Sequence, residues 1–125
     1  MLNKTMKSRA DAFLAAWNTC DIEKIAACYT ENLVYCDPNI TGEIKDQVSF
    51  KRYLKKLLAV WDMTYTTKEV FPLKDLNGYA FLWRAVIGKS GKRDEIEIEG
   101  MDLVVMEGDL ISRNEVYFDR KRLSI

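Results

Sequence analysis

Apolar side chains recur at helical spacing in the first half of the chain. In residues 50–61 they fall at positions i, i+3, i+4, i+7, i+8 and i+11, which predicts one long amphipathic helix. A similar stripe over residues 6–17 predicts a first helix, and Asp21 is a suitable N-cap for a short second one. Residues 33–36 have the composition of a short strand, which the Asp-Pro pair at 37–38 ends.

The pattern changes to a two-residue period after Met63. Asn77-Gly78 and Glu107-Gly108-Asp109 are turn signals between segments rich in β-branched and aromatic residues. These segments predict strands at residues 64–71, 79–87, 95–106 and 110–119. Helices followed by an antiparallel meander are typical of the α+β class. We therefore predict a single domain over residues 1–125, in which a cone-shaped, curved antiparallel sheet packs on three N-terminal helices.

Charged residues interrupt the apolar strands in the second half of the chain. Asp102 stands among apolar neighbours, and Arg113, Glu115 and Asp119 share one parity of the last strand. Charge on a face that only packs against a core is costly unless it is paired. That face therefore meets solvent or lines a polar cavity. Gly100, at the centre of the long strand, predicts a bulge or bend that would also decide which way Asp102 faces.

Composition excludes several classes of function. The chain has 125 residues, and 19 Lys and Arg balance 19 Asp and Glu, so nothing favours nucleic acid or an anionic membrane as a partner. No apolar run approaches the length that spans a membrane, and three scattered cysteines do not make a disulfide framework. We expect a reduced, cytoplasmic protein.

The chain has no histidine, which removes the commonest general base and the commonest metal ligand. We expect neither a metal nor a cofactor. Acid–base chemistry would then fall to carboxylates, tyrosines, lysines or thiols.

Four short stretches resemble the nuclear-transport-factor-2-like superfamily, which includes SnoaL-like polyketide cyclases and ketosteroid isomerases. They are residues 13–18, 21–25, 33–38 and 117–119, with the sequences Phe-Leu-Ala-Ala-Trp-Asn, Asp-Ile-Glu-Lys-Ile, Leu-Val-Tyr-Cys-Asp-Pro and Tyr-Phe-Asp. The resemblance implies a cone-shaped α+β fold that is often dimeric, with a small-molecule pocket between the concave face of the sheet and the helices.

The resemblance also implies candidate catalytic residues. Asp37 stands where ketosteroid isomerases carry a proton-shuttling aspartate, and Asp102 stands where they carry a protonated aspartic acid that donates to an oxyanion. Phe13 replaces the tyrosine donor of that family, which removes a group worth roughly 10²–10³ in rate. Asp37 before a proline is equally suited to a turn.

A second comparison within the superfamily concerns its epoxide hydrolases, which use an Asp-Arg-Asp set. Asp102 and Asp119 resemble the two aspartates, but Gly100 occupies the position of the arginine. Arg113 or Arg84 would have to supply the missing cation from another strand.

Three functions follow as hypotheses. The first is a SnoaL-like isomerase or cyclase for a small, apolar, carbonyl-bearing or aromatic ligand. Asp37, Asp102 and Asp119 would be its catalytic candidates, with Arg113 in an orienting role. The aromatic residues expected to line its pocket are Phe13, Trp17, Tyr53, Trp83 and Tyr117.

The second hypothesis is a non-catalytic ligand-binding or dimerisation module, because the alternate apolar row Met101, Leu103 and Val105 needs a cover. The third is an epoxide-hydrolase-like enzyme. A homodimer is expected in the first two.

Overall fold

A computed structural model describes residues 5–92 and 94–123 of the chain. It contains three helices, five strands and a closing 3-10 turn. In chain order these are α1 (Met6–Asn18), α2 (Ile22–Ala26), β1 (Tyr29–Cys36), α3 (Gln47–Val60), β2 (Trp61–Pro72), β3 (Gly78–Lys89), β4 (Glu95–Glu107), β5 (Leu110–Phe118) and the 3-10 turn Arg120–Leu123. The helical first half and the strand-rich second half follow the change in hydrophobic period. Within the described residues, no helix is long and apolar enough to cross a membrane.

Short polar side chains start the helices. The Asp21 carboxylate accepts hydrogen bonds from the backbone N–H groups of Glu23 and Lys24, as expected of an N-cap. Asp46 caps α3 in the same way through the N–H of Ser49. Helix α3 therefore begins one residue after its cap, ahead of the first apolar residue of its stripe.

The sheet is mixed and open rather than wholly antiparallel. Its strand order is β1-β5-β4-β3-β2, and every neighbouring pair is antiparallel except β1 and β5, which run parallel. The three-helix α+β architecture with a curved sheet is confirmed, and the correction concerns β1 alone. A hairpin would force two strands to run antiparallel, but no hairpin joins β1 to β5, so these two strands can pair in the parallel direction. Strand β1 also begins at Tyr29, earlier than its apolar pattern indicates, because Tyr29 pairs with Ile111.

Gly100 is not the site of a bulge, which corrects one of the two alternatives expected from sequence, a bulge or a bend. The pairing of β4 with both neighbours is regular through Gly100. The glycine is needed for close packing instead. A Cβ atom there would lie 2.4 Å from Cζ2 of Trp83 and 2.6 Å from the carbonyl oxygen of Tyr117. Because the alternation is unbroken, Asp102 lies on the same inner face as Trp83 and is buried.

Aromatic side chains fill the space between the concave face of the sheet and the helices. The ring of Phe13 on α1 makes edge contacts with those of Trp17, Tyr29 and Phe81, at centroid distances of 5.9–6.4 Å. Phe50 on α3 is fully buried and packs on Tyr29 at 4.6 Å. Such edge-on pairs suit the charge distribution of aromatic rings. Part of the space between the helices and the sheet stays open, and it forms the candidate site.

Candidate active site

An apolar cavity opens between α1, α3 and the inner face of the sheet. Its walls enclose about 580 Å³ including the open mouth. The aromatic lining residues include Phe13, Trp17, Trp61, Tyr65, Trp83 and Phe118. Asp37 and Asp102 line the same cavity, together with Asn39 and Tyr35. A mostly apolar pocket with a few convergent polar groups is the usual form of a small-molecule site.

Asp102 lies deep in this cavity on β4, with 5% of its surface exposed. The indole N–H of Trp83 donates to Oδ1 at 2.7 Å, and the side-chain amide of Asn114 donates to Oδ2 at 2.9 Å. Burial raises the pKa of Asp102 to about 7, although both donors act in the opposite direction. The carboxyl group is therefore held in one orientation and titrates near neutral pH.

Asn114 fixes the orientation of that carboxyl group from the neighbouring strand. It is completely buried, and its Oδ1 accepts a hydrogen bond from the hydroxyl of Tyr29 at 2.7 Å. This bond directs the amide NH₂ group toward Asp102. Sequence reasoning missed Asn114. Its position in the strand could have identified it, because Asn114 alternates with Val116 and Phe118, and side chains at alternate positions of a strand face the same side.

Asp37 lies at the end of β1 and is 8% exposed. The hydroxyls of Tyr35 and Tyr53 both donate to its Oδ2, the first at 2.6 Å, and the backbone N–H of Asn39 donates to Oδ1 at 2.8 Å. The last bond forms the turn that Asp-Pro predicts, and the carboxylate lines the cavity as well. Burial, and after it the charge of Asp37, raises the pKa of both tyrosines, so they remain neutral donors.

Tyr65 brings a further hydroxyl to the cavity, and sequence reasoning did not identify it. The side-chain amide of Asn18 pairs with the backbone of Tyr65 in both directions, at 2.9 Å to its carbonyl and 2.8 Å from its N–H. Among the residues described, the hydroxyl itself donates only to the thioether sulfur of Met63, at 3.4 Å. Burial raises the pKa of Tyr65, and Asp102 and Asp37 add to the increase. A neutral, weakly engaged donor therefore lies within the electrostatic reach of both aspartates.

Of the residues singled out from sequence, Phe13, Trp17, Trp83, Asp37 and Asp102 line the cavity. Tyr53 reaches it through its hydrogen bond to Asp37.

Three other expected site residues lie outside the cavity. Arg113 and Tyr117 point to the outer face of β5, where both bind Glu115 at 2.5 Å. Asp119 is exposed after the end of the strand and accepts a hydrogen bond from the backbone N–H of Lys121. Asp102 pairs with Val116 across the strands, so Val116 faces inward with it. Arg113, Tyr117 and Asp119 fall on the alternate positions and therefore face outward.

This placement does not assemble an Asp-Arg-Asp set. Asp119 is not beside Asp102, and no arginine in the described part of the chain lines the cavity. In the same described residues, no three His, Cys, Asp or Glu side chains come together in a way that could hold a metal ion.

The family follows from comparison with known proteins. A sequence profile of the SnoaL-like domain matches residues 10–114. The chain belongs to the SnoaL-like domain family. No curated protein sequence is significantly similar to this chain.

Solved structures share the fold at low sequence identity. A nuclear-transport-factor-2-like protein of unknown function from Cytophaga hutchinsonii is 20% identical with a TM-score of 0.70, over 99% of this chain and 98% of that one. A proposed polyketide cyclase from Silicibacter sp. TM1040 is 13% identical with a TM-score of 0.81, over 94% and 91%. TerC, co-crystallised with polyporic acid, is 16% identical with a TM-score of 0.79, over 95% of each chain. The superfamily resemblance drawn from sequence is confirmed, and these structures establish the fold alone.

Proposed function

We propose that the protein is an acid–base enzyme of the isomerase or cyclase type that acts on a small, mostly apolar, carbonyl-bearing ligand. The observation that carries the proposal is a buried carboxyl group, Asp102, held by two neutral donors inside an aromatic cavity. A group that titrates near the working pH transfers protons in both directions most efficiently. Burial without a compensating cation is costly, and such costs are concentrated at functional sites.

The residues divide the work by their contacts. In its ionised form, Asp102 removes a proton from the carbon next to the ligand carbonyl and later returns it to another position. Tyr65 donates a hydrogen bond to the oxygen on which negative charge develops, since its hydroxyl lacks a strong acceptor. This donor comes from β2 and compensates for Phe13, which cannot donate. Asp37 already accepts three hydrogen bonds, so we assign it to positioning the ligand near the mouth.

The aromatic lining of the cavity favours a small aromatic ligand. The enclosed space of about 580 Å³, mouth included, is within the usual size range of small-molecule sites. The structure of TerC with polyporic acid supports the idea that this fold accepts small organic molecules.

The intrinsic fluorescence of the protein reports on ligand binding directly, because all three of its tryptophans line the cavity. We would titrate the protein with 2-tetralone and related aryl ketones, and follow exchange of the hydrogens next to the carbonyl in D₂O by NMR. We expect quenching together with catalysed exchange. Asp102→Asn should slow exchange by about 10²–10⁴-fold while quenching persists.

Asp119→Asn is the matched control, since it makes the same change outside the cavity, and it should exchange as the wild type does. Quenching without any catalysed exchange in the wild type would favour the non-catalytic ligand-binding module instead. Unchanged exchange in Asp102→Asn would remove Asp102 from the chemistry.

We also propose that the protein is a homodimer joined through the outer face of the sheet. Leu82, Met101 and Tyr117 are direct cross-strand neighbours on β3, β4 and β5, and 37%, 38% and 51% of their surfaces are exposed. Three adjacent exposed apolar side chains form a patch that a second copy would cover. We also propose that the protein is cytoplasmic, as the scattered cysteines lead us to expect.

A further inference from the structure

A second open space lies between α1 and the β4–β5 hairpin, here named the hairpin groove. It encloses about 860 Å³ including its open side, compared with about 580 Å³ for the inner cavity. Its walls come from α1, from the chain after α2, from the start of β3 and from the hairpin. Phe13 lines both the groove and the inner cavity, so its ring is a wall that the two spaces share.

Two hydrogen-bond donors of the groove lack an acceptor. The hydroxyl of Tyr79 and Nε of Arg9 are both buried, and neither has a hydrogen-bond partner among the described residues. Tyr79 is completely buried, and its ring packs on Phe81 at 5.5 Å. Buried donors are nearly always paired in folded proteins, because an unpaired one has lost its water without replacement. Both residues line the groove, so an acceptor from outside the chain would reach these two atoms after a small shift of the groove wall.

The guanidinium group of Arg9 is already fixed in position by its other end. Nη1 donates to the Asp109 carboxylate at 3.0 Å and contacts the sulfur of Met106 at 3.8 Å. These contacts leave the Nε edge without a protein acceptor. The Arg9 side chain is 20% exposed whereas that of Asp109 is 76% exposed, so the ion pair is largely in water and screened. A planar guanidinium edge matches a carboxylate with two parallel hydrogen bonds.

Apolar side chains make up most of the remaining wall. Ala12, Phe13, Leu110 and Ile111 are among them. A ligand that satisfies Arg9 and Tyr79 would therefore carry one acceptor group and an apolar remainder. We propose that the hairpin groove is a second binding site, which holds a small apolar carboxylate through Arg9 and the hydroxyl of Tyr79. This site is independent of the proposed acid–base activity.

The test uses octanoate and benzoate as probes, with octanol and benzamide as their neutral counterparts. Binding to the full chain is followed by two-dimensional NMR and by thermal unfolding. We expect both carboxylates to shift the backbone signals of Cys28, Tyr79 and Ile111 and to raise the melting temperature more than the neutral compounds do. Because the tryptophans line the inner cavity, their fluorescence should change little.

Two variants locate the contacts. Arg9→Lys keeps the charge but loses the planar fork, and we expect at least a tenfold weaker affinity for octanoate. Tyr79→Phe keeps the ring, so it should fold, bind octanoate several-fold more weakly, and be at least as stable as the wild type without ligand. Arg52→Lys, which makes the same change as Arg9→Lys at an exposed position of α3, is the matched control and should bind as the wild type does.

Three outcomes would overturn the proposal. One is equal stabilisation by octanoate and octanol. Another is unchanged affinity in both Arg9→Lys and Tyr79→Phe. The third is a set of shifted signals confined to the inner cavity, with quenching of tryptophan fluorescence. Loss of ketone exchange in Asp102→Asn bears only on the inner cavity, so the two proposals fail separately.

Discussion

The two faces of β4 hold acidic side chains in opposite circumstances. On the outer face, Glu99 is exposed and binds Lys68 at 2.7 Å, a contact that lowers its pKa. Glu97, on the same face, pairs with Arg84 at 3.2 Å. On the inner face, Asp102 is buried with neutral donors only, and its pKa rises to about 7.

This contrast separates charges that solubilise the protein from one that costs stability. Exposed ion pairs are worth little, and their loss is easily tolerated. A buried carboxyl group without a cation is expensive, and an apolar residue would fit the inner face of a strand at lower cost. This cost is the physical argument behind the role proposed for Asp102. Three substitutions test this contrast, and their expected effects on stability decrease in the order given.

The first prediction concerns the pH dependence of stability. The pKa of Asp102 in the folded protein, about 7, lies above its ordinary value of 3.8, so the folded state binds the proton more tightly than the unfolded state. The contribution of Asp102 to the free energy of unfolding is fully present below about pH 4. It is lost as the pH rises from there through 7, and the total loss is a few kcal/mol. Asp102→Asn should abolish this loss in denaturant unfolding measured from pH 5 to 8.5.

Glu99→Gln is the control for that experiment, because it neutralises an acid on the outer face of the same strand. Its pH profile in this range should match the wild-type profile. An Asp102→Asn protein whose stability still falls with rising pH would show that another group is responsible.

The second prediction concerns the glycine beneath Trp83. In Gly100→Ala, the new methyl group would overlap the indole ring and the carbonyl of Tyr117, and we expect a loss of about 2–3 kcal/mol in the free energy of unfolding. The displaced indole should also lose its bond to Asp102. Gly42→Ala has open space around it but a φ of +81°, and should cost only about 1 kcal/mol. Equal losses in urea unfolding would contradict the close packing at Gly100.

The third prediction concerns the apolar patch on the outer face. Met101→Lys should leave the unfolding free energy of the monomer within about 0.5 kcal/mol, since the side chain is partly exposed. In sedimentation velocity experiments it should convert the dimer to monomer. Val48→Lys, at a residue 67% exposed on α3, should leave the dimer intact. A wild-type protein that sediments as a monomer at all concentrations would contradict the proposed interface.

The order of elements could be predicted from sequence because it depends on local patterns. Helical spacing, the N-cap at Asp21 and the turn at Glu107-Gly108-Asp109 each act over a few residues. The inward position of Asp102 was one of two alternatives that the sequence left open, because a charge among apolar neighbours in a strand either meets solvent or lines a cavity. The direction of β1 could not, since it depends on a pairing with β5 about 80 residues away.

The errors at the site came from cross-strand register. Arg113, Tyr117 and Asp119 share a parity that the sequence does not assign to either face. A register shift between Val105 and Met106 near the hairpin prevents a simple count from the turn. The partners of Asp102 were missed for the same reason. Asn114 and Trp83 reach the carboxyl group diagonally from the two adjacent strands, and only the register brings them together.

The position of Phe13 has a consequence for how this protein could change over evolutionary time. Its ring contributes to the walls of both the inner cavity and the hairpin groove, and it packs on the buried rings of Tyr29 and Phe81. A smaller residue at this one position would therefore enlarge both spaces at once. The size of ligand that either space can admit is thus coupled to the size admitted by the other.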